Sequence, residues 1–169
     1  AGSIGSEIVQ QVLSYKPAMV ILCDQAESTL HEIKLEVEEK FPHVATKIFI
    51  GDIRNYRRMR KLFADCLPEI VFHAAAYKHV PMMERHPSET ILTNVMGTKI
   101  IADLSVLYNV HKFVMISTDK AVNPTNVMGT SKRIADMYVQ SLTTVTDNLV
   151  EQTIRGLITG DAKNAANGT

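Results

Sequence analysis

Ala18-Met19-Val20-Ile21-Leu22-Cys23-Asp24 sets six near-continuous apolar residues between Pro17 and an acid. A half-buried strand alternates apolar with polar residues, so a run without alternation reads as a strand covered on both faces. Helical patterns lie on either side of it. Ile8, Val12 and Leu13 share one face of 6–15, and Leu30, Ile33, Val37 and Phe41 recur at helical spacing through 27–41. Further out, 46–50, 69–73 and 112–117 repeat the β-branched run, with helical patterns over 56–67 and 88–108. Pro17 and Pro68 stand just before strands, where a helix has already stopped. Strands alternating with helices predict parallel β-α-β units and an α/β, doubly wound parallel sheet.

The chain has 169 residues, 46% hydrophobic and 21% charged, which suits one domain with a real core. Its 18 basic and 18 acidic side chains balance, which removes the field that a nucleic acid or an anionic membrane would need. No stretch reads as a membrane span of ~20 apolar residues. The opening Ala1-Gly2-Ser3-Ile4-Gly5 has neither an initiator Met nor the pattern of a signal peptide, and so reads as an excerpt of something longer. Two cysteines, Cys23 and Cys66, lie too far apart for a redox pair and read as small buried hydrophobes. The six histidines show no metal spacing, so no metal site is expected. Reducing, cytoplasmic surroundings follow. Residues 1–142 read as one domain. Residues 143–169 form a tail of unassigned role, with a helix from an Asp147 N-cap to about Leu157 and a small, polar, frayed end.

Gly2-Ser3-Ile4-Gly5 before an amphipathic helix is the form of a phosphate-binding turn, because glycines admit a pyrophosphate and a helix N-terminus offers amide donors. Alone, that signal is weak. Asp24 strengthens it: a carboxylate after the next strand accepts from an adenosine ribose diol, and the order strand, turn, helix, strand and acid favours that reading over an ordinary helix-capping acid. At the end of the following strand, Asp52 and Ile53 are placed to hold and cover an adenine. Ala74, Ala75 and Ala76 end the next, leaving room for a dinucleotide or for close packing.

The stretch Ser117-Thr118-Asp119-Lys120 through Lys132 starts where the last strand ends, with an acid and a base adjacent at the strand tip. Met128 and Lys132 are four apart on one helix face. On periodicity alone they are a core methionine and a solvated lysine.

The chain resembles the extended short-chain dehydrogenase/reductases, and among them the CapD-like nucleotide-sugar 4,6-dehydratases of polysaccharide and capsule biosynthesis. The resemblance rests on Gly2-Ser3-Ile4-Gly5-Ser6-Glu7, Asp24, Gly51-Asp52-Ile53, His73-Ala74-Ala75-Ala76-Tyr77-Lys78-His79-Val80-Pro81, Asn94-Val95-Met96-Gly97-Thr98 and Ser117–Lys132, spanning 1 to about 142. It implies a Rossmann-like NAD-binding domain (NADP less so) acting as a lyase on a UDP-N-acetylhexosamine such as UDP-N-acetylglucosamine, in a homo-oligomer. The implied loop is oxidation at C4, loss of the C5 proton and the 6-hydroxyl, and reduction at C6, with NAD carrying the hydride. Met128 stands where the superfamily has its tyrosine, and Lys132 is the lysine that holds the nicotinamide ribose. A thioether cannot shuttle a proton. The base for the 4-hydroxyl is therefore left among Thr118, Asp119 and a water they hold. Asp119 is expected as acid and Lys120 as base, with Lys120 partly buried near Lys132. Lys78 is expected to meet substrate or cofactor, and Asn94 to be a helix-held polar group of the substrate site. In the family a strand precedes the position of Ala1, and a substrate domain follows about Leu142. The resemblance thus implies a catalytic-domain fragment whose parent may carry upstream membrane helices. A 4-epimerase would need the same cofactor without an acid/base pair, and a non-catalytic nucleotide-binding fragment would need neither.

Overall fold

The computed structural model describes residues 2–143, and the helix expected from Asp147 to about Leu157 in the 143–169 tail lies outside them. The chain divides into two compact units, the first ending at Cys66 and the second starting at Leu67.

In the first unit, helix α1 (Ser3–Ser14), strand β1 (Met19–Asp24), helix α2 (Glu27–Lys40), strand β2 (Ala45–Ile50) and helix α3 (Tyr56–Cys66) follow in order. β1 and β2 are parallel, with Met19 opposite Ala45 and Asp24 opposite Ile50. Leu30, Ile33 and Val37 form the stripe that the helical spacing predicts, and it closes with Leu13, Leu22 and Val44 into one core. Burying each such side chain contributes about 1.5–3 kcal/mol. The opposite face of α2 carries the ion pairs Lys34–Glu38 and Lys40–Glu36, each one turn apart.

In the second unit, strand β3 (Ile70–His73) leads to helices α4 (Val80–Arg85) and α5 (Pro87–Thr90). A π-helical segment (Ile91–Gly97) then runs into helix α6 (Thr98–Leu107). Strand β4 (Lys112–Met115), a 3-10 turn (Asp119–Ala121) and helix α7 (Val127–Thr143) complete it. β3 and β4 are parallel, with His73 opposite Met115. Leu104, Phe113, Val114, Met128 and Val139 are buried here.

The architecture is the α/β one expected, present as two parallel pairs, β1–β2 and β3–β4. The strands are less covered than their apolar runs predict. β4 is buried, whereas Met19, Ile50, Ile70 and Phe72 are exposed. A two-stranded sheet has few inward positions, so apolar content alone overstates burial.

Pro87–Leu107 corrects another expectation, because its 21 residues are long and apolar enough to cross a membrane. Half of it is buried in the unit, and its buried positions include Thr90, Thr93, Asn94, Thr98 and Ser105. That polar interior marks a core helix. The cysteines also differ from expectation, since both are only half-buried. Burial still pushes the Cys23 thiol up to about 11, while Cys66 Sγ accepts from Lys47 Nζ at 3.2 Å.

Candidate functional site

In the first unit, Gly2 caps α1 in extended conformation, and no side chain bonds the first-turn amides. A Cβ placed on Gly2 or Gly5 would meet nothing within 4 Å. Packing within the chain therefore does not require either glycine, and the open space in front of the helix start fits the close approach of a pyrophosphate. Asp24 ends β1, and its Oδ1 accepts from Ala26 N at 2.9 Å, so it also shapes the entry to α2. The backbone carbonyl of Asp24 accepts from Gly51 N at 2.9 Å, tying the two strand ends together.

Asp52 is more committed than its position in the sequence suggests. Arg54 donates to it from its backbone N at 2.9 Å and from Nε at 2.8 Å, with the terminal guanidinium nitrogen at 2.6 Å. Those bonds hold the Asp52 carboxyl below the usual carboxylate range. Arg58 turns back to the Ile50 carbonyl and lies 4.4 Å above the Phe49 ring. Neither arginine is legible as part of this end of the sheet, because Arg54 lies in a short connection and Arg58 within the helical pattern over 56–67.

In the second unit, Thr118, Asp119 and Lys120 are brought together at the tip of β4. Thr118 Oγ1 donates to Asp119 Oδ1 at 2.9 Å, and Lys120 N donates to the same oxygen at 2.9 Å. Lys120 Nζ lies 3.7 Å from it. The Thr118 bond, then the Lys120 charge, hold the Asp119 carboxyl below its ordinary range, so the exposed side chain is a carboxylate here. Lys120 is about half exposed rather than partly buried, because the turn points both side chains outward.

Gly129 holds this turn against α7. A Cβ there would stand 2.4 Å from the Lys120 carbonyl oxygen, so only glycine admits the approach. Asn126 Oδ1 caps the helix by accepting from Gly129 N at 2.8 Å, and Glu84 of α4 accepts from Val127 N at 2.6 Å. Met128 is buried, as its periodicity suggests. Lys132 is not the solvated lysine of that reading. It is 6% exposed, and its Nζ donates to the Ile116 carbonyl at 2.8 Å. Burial lowers its pKa, and Asp136 opposes the shift.

Asn94, expected as a helix-held polar group of the substrate site, has a wholly buried side chain. It accepts from Tyr77 N at 2.8 Å and donates to Tyr77 O at 3.0 Å and Ser131 Oγ at 2.9 Å. It thus holds the loop that carries Ala74, Ala75, Ala76 and Lys78. Of these, Ala75 and Lys78 are exposed. π-helical turns recur at functional sites, and Asn94 sits in one. The neighbouring Thr93 Oγ1 is the one buried side-chain polar atom without a partner among the described residues.

His73 is a buried polar node. Thr98 Oγ1 spends its proton on the Asn94 carbonyl at 2.7 Å, so the 2.8 Å contact with His73 makes Nε2–H the donor. Burial, helped by the Lys132 charge, pulls the His73 pKa down to about 3. Unfolded, the ring takes its proton near 6.5. Between those values the unfolded chain binds the extra proton, so stability falls as pH is lowered through that window. His73→Gln, which keeps an N–H donor, should move the acid unfolding midpoint to lower pH by circular dichroism. An unchanged midpoint counts against this origin.

No group of three or more His, Cys, Asp or Glu side chains is placed to hold a metal among the described residues.

A glycine-led helix start, an acid ending β1 and an acid-lysine strand tip can be set beside known proteins. The sequence pattern described as "Polysaccharide biosynthesis protein" matches residues 1–155. The chain belongs to this polysaccharide biosynthesis family. It is 46% identical over 142 residues to the capsular polysaccharide biosynthesis protein CapD of Staphylococcus aureus, covering 83% of this chain and 24% of that protein. An inverting UDP-N-acetylglucosamine 4,6-dehydratase of Campylobacter jejuni is 33% identical over 148 residues, covering 87% and 42%. The chain therefore spans less than half the length of either relative. The dTDP-glucose 4,6-dehydratase DesIV of Streptomyces venezuelae, solved with NAD and TYD bound, shares the fold. Its TM-score is 0.76 at 24% identity, covering 89% of this chain and 51% of that one. Relatives of this family member include UDP-N-acetylglucosamine 4,6-dehydratases and UDP-glucose 4-epimerases, and the solved structures it resembles share its Rossmann-like α/β fold.

Proposed function

We propose that this chain is the cofactor-binding and acid/base portion of an NAD-dependent 4,6-dehydratase. Its substrate is a UDP-N-acetylhexosamine, UDP-N-acetylglucosamine first, and its product is a 4-keto-6-deoxy sugar for polysaccharide or capsule synthesis. The observation that carries the reading is the Thr118-Asp119-Lys120 tip, where the Thr118 hydroxyl and the Lys120 amide donate to one Asp119 carboxylate oxygen and the Lys120 ammonium lies 3.7 Å from it. Epimerisation at C4 has no use for a second acid/base pair, whereas elimination needs one.

NAD, when bound, accepts the hydride from C4 and returns it to C6. The amides of Ser3, Ile4 and Gly5 bind the pyrophosphate, and Asp24 accepts from the ribose hydroxyls. Asp52 and Ile53 hold and cover the adenine, while Ala74, Ala75 and Ala76 keep their sheet end small. Lys132 holds the nicotinamide ribose, and Lys78 meets the substrate.

The bonds at the strand tip order the proton steps. Asp119 starts as the carboxylate and takes the 4-hydroxyl proton through Thr118, whose hydroxyl is already aligned on Oδ1. It then gives that proton to the departing 6-hydroxyl, which leaves as water. Lys120, in its neutral form, takes the C5 proton and returns it to C5 after hydride reaches C6. This sequence lets a site with Met128 dispense with a tyrosine.

The proposal extends to a cytoplasmic reaction and a homo-oligomeric enzyme, as the family resemblance implies. Mass spectrometry of the full-length protein with UDP-N-acetylglucosamine tests the function, with a 4-keto-6-deoxy product expected. A simple 4-epimer would overturn it. Asp24→Ala should weaken NADH binding by about 10- to 100-fold, the worth of a charged hydrogen bond. Fluorescence titration reads it, and unchanged affinity removes Asp24 from the site.

A further inference from the structure

Ile116 and Ser117 are successive residues at the exit of β4, and Lys132 and Asp136 are one turn apart on α7. They meet two against two. Lys132 Nζ donates to the Ile116 carbonyl at 2.8 Å, and Ser117 Oγ donates to Asp136 Oδ2 at 2.6 Å. Both ionisable side chains are buried, with Lys132 at 6% and Asp136 at 8% exposure. A lone buried ammonium sheds its proton unless an opposite charge holds it. The groups facing Lys132 are the Asp136 carboxylate on its own helix and the His73 ring from β3. His73, donating from Nε2 to Thr98, is neutral or cationic and never anionic, so of these two groups Asp136 alone can supply a counter-charge.

We propose that Asp136 is a positioning residue that keeps Lys132 cationic and seated at the β4 exit, with Ser117 fixing the carboxylate. The inference rests on the cofactor role of Lys132 only for its functional consequence. The pairing is inferred from their one-turn spacing on α7 and from their contacts to the successive residues Ile116 and Ser117. Lys132 then carries a positive charge in an interior position at neutral pH, which a ribose hydroxyl or an anionic ligand can use. The Ser117 bond occupies one carboxylate oxygen, which aims the group and limits its freedom to rotate away.

Two measurements on the full-length protein test this. In a double-mutant cycle of Lys132→Met and Asp136→Asn, read by urea midpoint, the double variant should lose less than the sum of the single losses. Additive losses overturn the pairing. The second measurement is NADH affinity against pH. Asp136→Asn should match the parent near pH 6 and lose several-fold more affinity than the parent as pH rises towards 9, because without the carboxylate the buried ammonium gives up its proton at lower pH. A merely structural defect would weaken binding equally at every pH, and that result also overturns the proposal. Ser117→Ala, which keeps both charges, should move the alkaline limb the same way by a smaller amount. Should Asp136→Asn fail to fold, this variant decides the pH arm, with an unmoved limb counting against the proposal. If the parent binds no NADH at any pH, the cofactor reading fails while the urea cycle still decides the pairing.

Discussion

Asp119→Asn in the full-length protein should lower turnover of UDP-N-acetylglucosamine by about 10²- to 10⁴-fold, the usual worth of a positioned proton-transfer group. The carboxamide oxygen can still accept from Thr118 and from the Lys120 amide, the two bonds that shape the turn. What the variant loses is a group that can take a proton and a negative charge 3.7 Å from Lys120 Nζ. NADH affinity should stay at the parent value, since Asp119 has no part in the nucleotide end. The pH profile adds a second check. The Asp119 carboxyl lies below its ordinary range in the free protein, held there first by Thr118 and then by Lys120. It must start as the carboxylate, so the acid limb of kcat/KM should fall below the ordinary Asp value of about 3.9. Asp119→Asn should abolish that limb. A loss under about tenfold would remove Asp119 from proton transfer.

Gly129→Ala should be nearly as damaging without touching an ionisable group. The added methyl would stand 2.4 Å from the Lys120 carbonyl oxygen, and backbone cannot step aside as a side-chain end does. Overpacking of this kind costs about 1–3 kcal/mol. The larger effect is on chemistry, because the displaced backbone carries Asp119 and Lys120, and a shift near 1 Å can cost about 10²-fold in rate. Turnover should fall much further than the melting temperature suggests. Thr130→Ala, one residue on and exposed, provides the neutral control. Full activity in Gly129→Ala would show that the strand tip does not depend on this contact.

The elements that sequence made legible are those with a simple periodic signal. The stripe Leu30, Ile33, Val37 and the run leading to Asp24 announce a helix and a strand because 3.6- and 2-residue periods differ. The strand tip was legible too, since an acid and a base side by side serve no packing purpose. Other features came from pairs remote in sequence. Asp136 was visible four residues after Lys132, but nothing marked Ser117 as its partner. Asn94 looked like a site group, and its amide proved to be spent on the Tyr77 main chain. Burial of Lys132 was likewise hidden, because a lysine on a helix has the same periodicity whether it faces water or a strand end. The Arg54 bonds to Asp52 went unseen for a different reason: side-chain direction in a short connection has no period to read.

The Asn94 amide has a consequence for how the fold tolerates change. A carboxamide presents one acceptor and donors in the spacing of a peptide group, so it grips residue 77 as a neighbouring strand would. That grip reads only main chain. The course of the loop is therefore written in a helix, and the loop's own side chains, Lys78 among them, are free to be exchanged without altering its path. One buried residue supplies the template, and the residues that face a ligand become interchangeable parts.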